Sequence, residues 1–154
     1  ECHMTFRLRR LHLAALFVVA SSLPTFAAGQ TTNQQIDQLL GDHTKYEAVI
    51  TKLQKAVAAH DAPGVAALVS YPIRVKIKGK NTLVKSPKTF VKNYDAIMTP
   101  KITDAVTKQD YEKLFVNATG IMFGDGQVWV NGVCKDKACK NFDAKVITIQ
   151  GGPK

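Results

Sequence analysis

The sequence predicts an α+β fold, with one mixed or antiparallel sheet and helices set apart from the strands on one of its faces. Three observations predict it. Across residues 44–60 the apolar side chains Tyr46, Val49, Ile50, Leu53, Ala56 and Val57 recur at the spacing of a helical stripe. Across residues 73–78 Ile73, Val75 and Ile77 alternate with Arg74, Lys76 and Lys78, the period of a strand with one buried face. From residue 114 onward strand signals follow one another with only turns between them, so neighbouring strands pair antiparallel.

Taken in order, Thr31 or Thr32 caps a short first helix that carries Ile36, Leu39 and Leu40, and Gly41 stops it. Asp42 caps the main helix, and Ala62-Pro63-Gly64 breaks it, leaving Asp61 at its end. One or two further helical turns follow over residues 65–69. Lysines and the preceding Tyr71-Pro72 mark the strand at 73–78 as an edge strand. Gly79-Lys80-Asn81 turns the chain into a short partner strand. Ser86 and Pro87 start a helix whose buried stripe is Phe90, Val91, Tyr94, Ile97 and Met98. Thr99-Pro100 starts another, with Ile102, Ala105 and Val106 inward.

Residues 114–133 then read as two strands joined at Asp125-Gly126, a pair that accepts the positive φ of a tight hairpin. This pairing sets Phe123 opposite Val128, Met122 opposite Trp129 and Ile121 opposite Val130. Ile121, Phe123, Val128 and Val130 share one face; Met122, Trp129 and Val133 share the other. A half-solvated hairpin would alternate apolar and polar residues, so both faces call for a cover. Helices can cover one. A second copy of the chain, packed sheet to sheet, would cover the other. Residues 142–150 form the last strand.

The N-terminus reads as a secretory leader. Residues 1–3 precede Met4 as a cloning remnant. Arg7, Arg9 and Arg10 form the positive region, residues 11–20 an apolar run, and Thr25 and Ala27 a small-residue cleavage site. Against a membrane anchor stand the short run and Pro24, since a span needs about 20 apolar residues. Residues 4–27 are then removed, residues 28–154 form a single domain, and the address is periplasmic or secreted, in a bacterial arrangement.

The whole chain holds 21 basic and 12 acidic residues; without the leader, 18 and 11 remain, a net charge of +7. A lysine-rich solvated surface and attraction to acidic partners are both readings of that charge. The scattered lysines and the exported address argue against nucleic acid. Cys134 and Cys139 bracket a polar loop, and two thiols in an oxidising compartment pair. A ring of that size contributes about 2–3 kcal/mol on the chain-entropy estimate. A metal site there lacks nearby histidines, and a redox pair has two intervening residues rather than four.

The order of elements, together with AAHDAPGVAALV from Ala58, resembles the NTF2-like (cystatin-like) superfamily. The strings YPIRV from Tyr71, FVKNYDAIMTPKI from Phe90 and LFVNATGIMFGDGQVW from Leu114 are similar to an uncharacterised group of small exported bacterial proteins. The resemblance implies a cone in which N-terminal and mid-chain helices pack on the concave face of a curved sheet. It also implies a pocket between helices and sheet, for which Tyr46, Tyr71, Arg74, Tyr94, Asp95 and Trp129 are the ligand-binding candidates. Arg74 would suit an anion. The competing reading is that the aromatic residues fill the core.

No catalytic constellation stands out. Asp125 belongs to a turn, Asp136 to the cysteine loop, and His43 and His60 to helix ends; only Asp95, beside Tyr94, has apolar neighbours. Asn117-Ala118-Thr119 matches the glycosylation sequon, within an expected strand, and is assigned no role. The sequence calls for no cofactor or metal. It reads as an exported, non-enzymatic binding module, of an inhibitor or immunity type that acts on a partner protein. The alternative is a small-ligand-binding or isomerase-like pocket protein.

Overall fold

A computed structural model describes residues 29–151; the leader expected at 4–27 and the remnant before it lie outside the described residues. Thr31 caps α1 (Thr32–Leu39), and Gln34 returns a bond to its backbone to close a capping box. Gly41, at φ +93, lets the chain turn back on itself. Asp42 caps α2 (His43–Ala58), which buries Tyr46, Ile50, Leu53 and Val57 as its period requires. Asp61 does not end α2. It caps a new helix, α3 (Ala62–Leu68), by accepting the Gly64 N–H, and Pro63 sits in the first turn, where its missing N–H costs nothing. The apparent breaker is a helix start.

Strands β1 (Ile73–Ile77) and β2 (Lys80–Val84) form a separate hairpin. Its turn is Lys78-Gly79, starting one residue earlier than the glycine-based expectation, with both residues at positive φ, +47 and +81. The helix expected around Phe90 is two: α4 (Pro87–Lys92) and α5 (Tyr94–Ile97). Asn93 divides them. Its side chain donates to the Thr89 carbonyl at 2.8 Å, while its own N–H goes to Phe90 instead. A side chain that takes the carbonyl of the preceding turn competes with the helix ladder. Phe90, Tyr94, Ile97 and Met98 are buried as expected, but the break turns Val91 outward. Helix α6 (Pro100–Thr107) follows and buries Ile102 and Val106. A single 3-10 turn, Tyr111–Lys113, leads into the sheet.

The main sheet is a four-stranded antiparallel meander: β3 (Phe115–Asn117), β4 (Gly120–Phe123), β5 (Val128–Cys134) and β6 (Phe142–Ile149). The register puts Phe123, Met122 and Ile121 opposite Val128, Trp129 and Val130, as the sequence predicts. Its connection differs. Positive φ falls on Gly124 (+57) and Gly126 (+98), not on Asp125. Gln127 takes over the turn: its side-chain oxygen accepts the Asp125 N–H, and Gly124 N–H is held by Gln109 Oε1 at 3.0 Å. The expected long strand before it is two strands. The sequon lies in the turn between them, where Asn117 Oδ1 accepts the Thr119 N–H at 2.8 Å and Gly120 adopts φ +135.

A register shift between Trp129 and Val130 makes β6 one residue longer than its partner there, so Ala144, Val146 and Ile149 all reach the interior. Helices α2 and α6 pack on β5 and β6 or β5 alone, α1 packs on β3, and β1 lies beside β6. Gln54 of α2 ties two of these together, donating to the carbonyls of Val106 and Gln109 at the end of α6. The inner sheet residues Ile121, Phe123, Val128 and Val130 are almost wholly buried. Among the described residues, no helix is long and apolar enough to cross a membrane.

Candidate functional site

The six residues expected around one pocket do not converge. Tyr46 and Tyr94 are core residues, 1% and 4% exposed. Phe90 sits edge-on to both Tyr94 and Tyr71, so aromatic rings fill the interior where a ligand would lie. The Tyr71 hydroxyl donates to the Ala66 carbonyl at 2.9 Å. Trp129 is on the opposite, outer face of the sheet, because strand residues alternate. Arg74 lies on the exposed side of β1 opposite Leu83. Asp95 points to water with 83% of its side chain exposed and meets His60 Nε2 at 3.0 Å, itself 71% exposed. His60 stacks edge-on against Tyr94 at 5.0 Å. That cluster joins the α2–α3 corner to α5 in open solvent. Its one unusual member is the Tyr94 hydroxyl, buried with no hydrogen-bond partner among the described residues.

A strongly charged concavity lies elsewhere, between α2 and the β5–β6 end of the sheet. It is an open groove of about 480 Å³ lined by Lys45, Val49, Lys52 and Leu68 on one side and by Lys135, Asn141 and residues 142–145 on the other. Four lysines line it, Lys45, Lys52, Lys135 and Lys145, against one carboxylate, Asp143. Lys45 and Lys52 come from the solvent side of α2, left polar by the same stripe that buries Tyr46 and Leu53. Lys145 Nζ donates to the Ala67 carbonyl at 3.0 Å, which anchors its stem across the groove. Lys135 Nζ meets Asp143 at 2.9 Å, and that bond holds the Asp143 carboxyl below the usual value.

One wall of the groove continues into the cysteine loop. Cys134 and Cys139 are joined with their Cα atoms 4.8 Å apart, the pair expected of two thiols in an oxidising compartment. Asp136 organises the ring from inside. Its carboxylate accepts the N–H groups of Asn141 at 2.9 Å and Lys140 at 3.1 Å. Those bonds, Asn141 first, hold its carboxyl below the usual value of 3.8. Asp136, which the sequence places in the cysteine loop, is therefore the loop's internal cap. Lys137 and Lys140 stay exposed on the outside. The loop and the groove together form a continuous surface with excess positive charge.

Sequence reading treats these lysines as scattered. No spacing rule links Lys45 to Lys145; α2 and β6 bring them together. Among the described residues no group of three or more His, Cys, Asp or Glu side chains could hold a metal ion. Comparison with known proteins through family models, curated sequences and solved structures finds no match for this chain.

Proposed function

We propose that this chain is an exported, non-enzymatic binding module that engages the acidic surface of a partner protein through the groove beside α2 and the cysteine loop. The four-to-one excess of lysines over carboxylates in the groove lining carries the reading. Complementary charge accelerates encounter and fixes orientation more than it adds affinity. The disulfide and the Asp136 cap keep the loop ordered before contact, which cuts the entropy lost on binding. An inhibitor or immunity protein is the specific form that such a preformed basic loop suits. The cysteine pair is compatible with an oxidising, periplasmic compartment. Helices on one face of a sheet with a bulged last strand support the NTF2-like cone as the fold family, with aromatic residues in place of a cavity.

Pull-down from periplasmic extract tests this. The wild-type chain captures an acidic protein, and capture weakens with salt. The double variant Lys45→Glu, Lys52→Glu, on exposed positions, folds normally and loses it. No partner above background, or equal capture by both chains, removes the proposal.

A second copy of the chain suits the outer sheet face. Cross-strand register aligns Phe115, Met122 and Trp129 there, and Phe115 is 51% exposed. Sedimentation at high concentration that finds only monomer excludes the dimer.

A further inference from the structure

At the other end of β6 lies a different concavity, of about 300 Å³, between the β1–β2 turn, α5, the start of α6 and residues 149–151. Its floor is Val75, Ile97, Ile102 and Ile149. Lys76 and Lys78 also contribute to its lining, and among the described residues no acidic side chain does. Neither lysine makes an ion pair among the described residues. The volume stands at the low end of the range of about 300–1,000 Å³ for small-molecule sites.

The lining has a second peculiarity. Lys78 holds φ +47 at the first position of the hairpin turn, where Asn, Asp or Gly meets the left-handed conformation with less strain. The same Lys78 is one of the residues that line the groove. We infer that the groove binds a small amphipathic carboxylate, its apolar body on Val75, Ile97, Ile102 and Ile149 and its head between Lys76 and Lys78. The two lysines neutralise the head, and the apolar floor excludes water from the body. This site is independent of the basic groove beside α2 and shares no residue with it.

Decanoate below its micelle concentration is the probe, titrated by calorimetry and by amide shifts at Val75, Ile97, Ile149 and Gln150. One saturable site is expected, with decyltrimethylammonium bound far more weakly. Lys78→Asn relaxes the turn, so it melts no lower than wild type, yet binds decanoate about fivefold more weakly. Ala96→Phe, on the half-exposed wall of the groove, blocks it while the circular dichroism spectrum is unchanged. Four results would overturn the site: no saturation, equal binding of the cationic analogue, undiminished binding by Ala96→Phe, or attachment to phosphatidylglycerol vesicles without binding of monomeric decanoate. None of these outcomes bears on capture of an acidic protein by Lys45 and Lys52.

Discussion

Lys45 Nζ stands 4.4 Å from the centre of the Phe142 ring, and the next residue of α2, Tyr46, meets the same ring at 5.6 Å. One aromatic side chain on β6 thus holds both a cation of the groove and a residue of the core. Phe142→Leu keeps most of the apolar area but loses the π face. The expected cost in urea unfolding is about 1 kcal/mol, part of it the cation–π contact at an exposed site. Lys45→Ala in the Phe142→Leu background should then cost less than in wild type. Equal costs in both backgrounds would show that the contact contributes nothing.

Gly120→Ala should be among the most damaging small substitutions. Gly120 adopts φ +135, and a Cβ there would stand 2.6 Å from the Val130 carbonyl oxygen, an atom of the backbone that cannot step aside. A loss of about 2 kcal/mol or more is expected in chemical denaturation. Gly79→Ala tests the steric part, since Gly79 also has positive φ but meets nothing within 4 Å. It should cost clearly less.

Tyr94→Phe should leave the fold unharmed or strengthen it by up to about 1 kcal/mol. The Tyr94 hydroxyl is buried with no partner among the described residues, and its removal ends an uncompensated desolvation. Thermal and urea unfolding measure this. A destabilised variant would mean that a bound water satisfies the hydroxyl.

All four tyrosines should resist ionisation in the folded chain. Burial pushes the Tyr71 and Tyr111 phenols up to about 12, with Glu47, Glu112 and Asp37 adding to the effect at Tyr111. Burial also raises Tyr46, and burial with the charges of Asp95 and Asp61 raises Tyr94. The unfolded chain releases these protons near pH 10.0, before the folded chain does. The stability from keeping the phenols neutral is therefore complete below pH 10 and disappears as the pH rises toward about 12. Ultraviolet titration should show no phenolate step near pH 10 while the circular dichroism spectrum stays native. Tyr71→Phe should move the alkaline unfolding to higher pH. A phenolate step near 10 in a folded chain would contradict this.

Much of the fold was legible along the chain. Thr31, Asp42 and Ser86 cap helices where their short polar side chains predict it, and Gly41 turns the chain after α1. The pairing of β4 with β5 follows from period and turn, and the Cys134–Cys139 link from two thiols expected in an oxidising compartment. These features depend on backbone geometry within a few residues, and sequence encodes that directly. The misread segments were local competitions between two such signals. Asp61 could end one helix or cap the next, and Asn93 could continue a ladder or bond the carbonyl behind it.

The candidate site was not legible, and the reason is distance along the chain. By itself the sequence determined the helices, the meander, the cysteine loop and an excess of positive charge. Only the tertiary structure decided that Tyr46, Phe90 and Tyr94 fill the interior, that Arg74 and Asp95 face water, and that Lys45, Lys52, Lys135 and Lys145 line one groove. Which side chains become neighbours is settled by how α2 packs across β5 and β6. That packing is a balance of burial over the whole core, and no short stretch of chain carries it.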